Sequence, residues 1–141
     1  MNKALIDTDI FSEIIKGKNT KVIRKAEKYY TEKEIYTISI FTVLEILKGF
    51  YKKNLINQAQ RFLLKVKEKE WEILDIEIES IHTASKIYGE LEKIGKPIGN
   101  NDPMIASIAI ENQLALVTGN TKHYERIQEL GYPLLLENWK E

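Results

Sequence analysis

No cysteine occurs anywhere in the chain. Disulfides, thiolate metal sites and a cysteine nucleophile are therefore excluded. Histidine is nearly as scarce, with His82 and His123 the only two, so a multi-histidine zinc centre has no ligand set. A bound metal would have to be held mainly by oxygen, which points to magnesium or manganese. Long apolar runs are missing too. No stretch approaches the roughly 18 apolar residues of a membrane helix. The opening MNKALIDTDI has no apolar segment behind a basic one, the mark of a secretory leader. A cytoplasmic location and no membrane partner are the expectation. Net charge is absent as well: 21 Lys and Arg balance 21 Asp and Glu. Overall charge does not single out a nucleic-acid binder.

What is present suits one folded domain over residues 1–141, with 43% hydrophobic and 30% charged residues. Abundant Lys, Glu and Ile without Cys would suit a heat-stable protein. No internal repeat, linker or low-complexity segment interrupts the chain. The charges are unevenly spread. From Lys48 to Lys69 seven positive side chains face one negative, and from Glu70 to Glu92 seven negative face one positive. The basic stretch could follow a phosphate backbone. On charge alone, solvated helix faces that pair with each other are favoured.

Strands and helices alternate along the chain. Ala4-Leu5-Ile6 reads as a buried strand, 9–16 as a helix stopped by Gly17, and 22–30 as a second helix. The run 34–39 is β-branched and aromatic, hence a strand. A strongly apolar helix follows over 41–51, with Ser39 as its cap. Then come a helix 56–69, a strand 71–76, a helix 78–94, a loop 95–101, a helix 103–112, a strand 114–118, a helix 121–130 and a last strand 134–136. This order predicts a three-layer α/β/α sandwich around a parallel sheet.

Open parallel sheets bind ligands beyond the carboxyl ends of their strands. Asp7 and Asp9 follow the first strand, and Glu45 lies a turn or so into the helix after the second. Asp102 starts the helix leading into LALVT, which Thr118 and Asn120 follow. Gathered acids repel one another unless they share a hard divalent cation, which could activate water and polarise a phosphate. Each also has a plainer reading. Asp7 and Asp9 could cap a helix, and for Asp9 alone the cap is preferred. Asp102 before Pro103 is a common helix start. Glu45 lies in an apolar helix, where burial without a partner costs several kcal/mol. Its partner would be a cation or Lys48, one turn on. Asn120 is a common turn residue. His82 reads as a surface or packing residue, His123 could reach the site's edge, and Trp71 and Trp139 read as packing.

Four pieces together carry a resemblance over nearly the whole chain. ALIDTDIFSEIIKG, TISIFTVLEILKG, IGNNDPMIASIAI and LALVTGNTKHYERI resemble, in order, the four motifs of the VapC-type toxins among the PIN-domain ribonucleases. The resemblance implies cleavage of RNA phosphodiester bonds by water activated on magnesium or manganese. It implies Asp7 and Asp102 as main metal ligands and Glu45 as completing the metal site. Asn120 would hold a metal-bound water or a substrate oxygen; Asn in place of Asp there puts a second metal in doubt. It further implies a homodimer, a cognate antitoxin whose tail blocks the groove, and a structured RNA target such as transfer or ribosomal RNA. Lys48, Lys52 and Lys53 become candidates for guiding that RNA, with Asp9 and Thr118 as supporting residues.

Other readings compete. Asp7-Thr8-Asp9 after a strand resembles the nucleophile motif of haloacid-dehalogenase-like phosphatases, but Ile10 and Phe11 stand where that family needs a small hydroxyl residue. A receiver domain has a similar size and a Lys-Pro pair (here Lys96-Pro97), yet Asp75 is too near the lysine. A catalytically silent PIN-like module binding RNA or protein would have no use for a repulsive acid cluster.

Overall fold

A computed structural model describes all 141 residues. Five strands form one sheet: β1 (Ala4–Ile6), β2 (Thr37–Ser39), β3 (Glu72–Leu74), β4 (Ala115–Val117) and β5 (Leu136–Glu137). Every pairing is parallel, and the spatial order is β3-β2-β1-β4-β5. Seven helices connect them: α1 (Thr8–Lys16), α2 (Thr20–Lys33), α3 (Ile40–Lys52), α4 (Ile56–Lys67), α5 (Ile78–Lys93), α6 (Asp102–Glu111) and α7 (Thr121–Glu129).

The side chains of β1 alternate between two cores, as strand geometry requires. Ala4 and Ile6 pack with Phe11 of α1, Tyr29 of α2, Ile46 of α3 and Phe62 of α4. Leu5 faces the opposite side, with Ile87 of α5, Ile105 of α6 and Tyr124 of α7. The expected three layers are thus present, α1–α4 on one face and α5–α7 on the other. No helix is long and apolar enough to cross a membrane.

Local rules set most helix ends. The Ser39 hydroxyl accepts the Thr42 N–H at 3.2 Å, the expected cap of α3. Gly17, at φ +67°, closes α1 with its N–H on the Glu13 carbonyl. Three boundaries depart from expectation. Helix α1 begins at Thr8, so Asp7 rather than Asp9 is its cap. Glu34 ends α2 in the left-handed region (φ 65°), which delays β2 to Thr37. The last strand pairs only from Leu136, because the Gln128 side chain takes the Leu134 carbonyl at 2.7 Å and the Leu134 N–H turns back to Tyr132.

The strand order places a switch point beside β1. The chain winds outward from β1 through β2 to β3, then resumes across it at β4. The crevice beyond the carboxyl ends of β1 and β4 is where a ligand site belongs in such a sheet.

Trp139 closes the first core. It is fully buried, 5.6 Å from the Tyr29 ring, although only two residues from the chain's end. Trp139→Ala should destabilise the protein by about 3–5 kcal/mol. Urea unfolding followed by far-UV circular dichroism measures that loss.

Candidate active site

Asp7 is the first residue past β1, and its N–H bonds the Val117 carbonyl at 2.8 Å, continuing the β1–β4 ladder. That backbone bond fixes the carboxylate inside the switch-point crevice, 4% exposed. One oxygen accepts the Thr8 N–H at 2.8 Å and the other accepts the Thr118 hydroxyl at 2.9 Å. Thr118 is fully buried, and its hydroxyl oxygen also accepts the Asn120 N–H at 3.0 Å. Burial raises the Asp7 pKa most, the Asp9 charge next, and Asp102 adds to both. The two hydrogen bonds oppose them but are outweighed, and the value reaches about 7.

Asp9 stands in the first turn of α1. One oxygen accepts the Ile10 N–H and the other the Gly119 N–H at 2.9 Å. Glycine suits this contact, since a Cβ at position 119 would lie 2.5 Å from the Asp9 oxygen and would push that carboxylate aside. Lys140 brings an ammonium to 3.7 Å from the same oxygen. Asp102 opens α6 but does not cap it; Asn101 holds the cap position, with no side-chain bond. The cap reading of Asp102 is thereby corrected. Its carboxylate, 18% exposed, lies 3.7 Å from His123 Nδ1. Tyr124 is buried beside Asp7 and Asp102, whose charges add to burial in raising its pKa well above the usual tyrosine value. Its hydroxyl lies within reach of both carboxylates, without a well-formed hydrogen bond to either.

Glu45 is half-buried on α3 and accepts the Thr8 hydroxyl at 2.7 Å. The same hydroxyl lies 2.9 Å from that of Thr42. Thr8 therefore links Glu45 to Asp7 through one residue. No ion pair joins Glu45 to Lys48; within the protein, the partner at hand is the Thr8 hydroxyl.

A model of the PIN domain matches residues 4–130. The chain belongs to the PIN-domain family. Within it the likeness is to VapC proteins. Ribonuclease VapC1 of Methanocaldococcus jannaschii is 33% identical over 130 residues, 92% of this chain and 85% of the relative. The tRNA(fMet)-specific endonuclease VapC of Shigella flexneri is 28% identical over 131 residues, 90% of this chain and 93% of the relative. Among solved structures, VapBC2 from Rickettsia felis bound to a DNA fragment from its promoter superposes with a TM-score of 0.78 at 30% identity. That match covers 96% of this chain and 98% of the other.

On this PIN frame, Asp7, Asp9, Asp102 and Thr118 fall together, and Glu45 joins through Thr8. Asn120 is at the N-terminus of α7 with its side chain exposed and uncommitted to a cap. Lys53 borders a groove of about 240 Å³ that also includes Thr8, Ser12, Glu45 and Phe50. Lys48 and Lys52 are exposed on α3 outside that lining. The basic and acidic stretches do not pair as favoured on charge alone; Lys65–Glu70, at 4.0 Å, is their one ion pair. His82 is exposed on α5, as expected, and His123 does reach the site's edge. Thr8, Thr42, Tyr124 and Lys140 were not anticipated. Only Thr8 carried a signal, lying between two candidate acids.

No three acids converge on one coordination sphere in this conformation. The donors are nevertheless all carboxylate oxygens, which suits a hard divalent cation. The raised Asp7 pKa marks charge that such a cation would relieve. The side chains able to hold it are Asp7 and Asp102, with Asp9 and Glu45 beside them.

The raised pKa also sets a pH dependence for the metal-free protein. The unfolded chain loses the Asp7 proton near 3.8, whereas the folded chain keeps it to about 7. The folded state binds more protons between these values, so stability falls as pH rises through that window. Asp7→Asn stays neutral throughout and should remove that slope. Urea midpoints at pH 5 and pH 8 should converge for the variant. The wild type should lose on the order of a few kcal/mol between them.

Proposed function

We propose that this chain is a metal-dependent endoribonuclease, the toxin half of a type II toxin–antitoxin pair. The observation that carries the reading is the buried Asp7 carboxylate, its pKa raised to about 7 amid Asp9 and Asp102 at the switch point. A module that only binds has no use for a buried carboxylate crowded by two others. The VapC relatives are ribonucleases, and the Shigella protein is specific for a transfer RNA. A structured RNA is accordingly the proposed substrate, and transfer RNA the first to try. The VapBC neighbour supports a cognate antitoxin partner, and we assign a homodimer as the working form.

Magnesium, or manganese in its place, would supply a water of lowered pKa and neutralise charge on the phosphate. Asp7 and Asp102 would hold the ion, with Glu45 completing the set. Thr118 and the Thr8 N–H keep both Asp7 oxygens in place. Thr8 does the same for Glu45. Asn120, exposed at the mouth, would orient a water or a substrate oxygen. In the reaction, a water oxygen bonds to phosphorus, the P–O bond to the leaving nucleotide breaks, and the leaving oxygen takes a proton. Lys53 at the groove, just past the end of α3, with Lys48 and Lys52 on that helix, would guide the RNA backbone.

The absence of a ready three-acid sphere favours a second reading, a silent PIN module that binds RNA or protein without cutting. One experiment separates them. Purified protein free of antitoxin is incubated with total cellular RNA, with magnesium, manganese or chelator. Discrete fragments are expected with metal only. Asp7→Asn and Asp102→Asn should each cut below about one hundredth of the wild-type rate while remaining folded. Metal-independent binding without cleavage would select the silent module.

A further inference from the structure

Tyr124 lies on the inward face of α7, fully buried against Leu5, Ile105 and Leu116. Its ring is ordinary core material. Its hydroxyl is not, being buried between two carboxylates with no well-formed hydrogen bond to either. Other buried hydroxyls in the protein are paired: Tyr29 with the Ala4 N–H, Ser107 with the Pro103 carbonyl, Thr118 with Asp7. An unpaired buried hydroxyl costs free energy comparable to a lost hydrogen bond. Phenylalanine would fill the same space without that cost.

The neighbours of the orphan are the carboxylates of Asp7 and Asp102. A phenol donates one hydrogen bond, and a carboxylate only accepts. Both Asp7 oxygens already accept hydrogen bonds, from Thr8 and Thr118. The Asp102 side chain accepts no well-formed hydrogen bond; His123 Nδ1, also buried without a partner, stands 3.7 Å from it. Asp102 opens a helix that its side chain does not cap. Asp102 is therefore the less committed of the two carboxylates.

We infer that Tyr124 is a positioning residue, whose hydroxyl donates to Asp102 and holds that carboxylate facing Asp7 when a divalent cation draws the pair together. The inference rests on the metal-dependent reading above. It differs from that reading in assigning the orientation of the pair to a core side chain on α7.

The test compares Mn2+ binding by titration calorimetry for the wild type and Tyr124→Phe, each purified free of metal. Thermal unfolding is followed with and without Mn2+. The metal-free variant should unfold at the same or a higher temperature, because the ring stays and the unpaired hydroxyl goes. Its Kd for Mn2+ should weaken about 10-fold, and the Mn2+-induced rise in Tm should shrink accordingly. A tyrosine that only packs would leave both unchanged, and that result overturns the inference while leaving the proposed function standing. A folded wild type that binds no Mn2+ overturns both.

Discussion

The carboxylate of Asp7 sits at the carboxyl end of the central strand, 4% exposed, holding the Thr8 N–H and the Thr118 hydroxyl. Its place follows from the backbone. The Asp7 N–H is needed by Val117 to continue the β1–β4 ladder. The side chain must then enter the crevice where the winding of the sheet reverses. The helices covering both faces of β1 keep water from it. A neutral aspartic acid, or an aspartate with a cation, is the form such a place tolerates.

The surrounding polar groups are organised by that constraint. Thr118 ties Asp7 to the turn after β4, and Thr8 ties it to Glu45 on α3. Gly119 lets the same turn approach Asp9. These bonds join α1, α3 and the β4–α7 turn around one carboxylate, so the acids are held by elements distant in sequence. Like charges near each other weaken the fold locally. The two hydrophobic cores, one on each face of β1, offset that cost and make the site affordable.

The chain's end has a part in this arrangement. Trp139 is buried against Tyr29, and Lys25 of α2 donates to the carbonyls of Asn138 and Glu141. The anchored segment carries Lys140 to within 3.7 Å of Asp9. Net neutrality of the whole chain therefore conceals a local imbalance, with several acids at the crevice and one ammonium at its rim. The exposed lysines of α3 lie beyond the groove edge that Lys53 marks.

Much of this was written in local sequence. Alternation of strand and helix, the Ser39 cap and the Gly17 stop follow from short-range stereochemistry, which adjacent residues suffice to set. The positions of Asp7, Glu45 and Asp102 at the carboxyl edge follow from the order of elements alone. Tertiary structure decided the remainder. Which oxygen of Asp7 meets Thr118 depends on a contact spanning 111 residues. That Glu45 bonds Thr8 and not Lys48 depends on how α3 packs against α1. The exposure of Tyr124's hydroxyl to two acids, and the approach of Lys140 to Asp9, have no local signature: the first looks like one more apolar position on a helix, the second like a charge on a tail. Hydrogen bonds and ion pairs between distant segments depend on packing angles set by the whole core, and those angles are not written in any window of neighbouring residues.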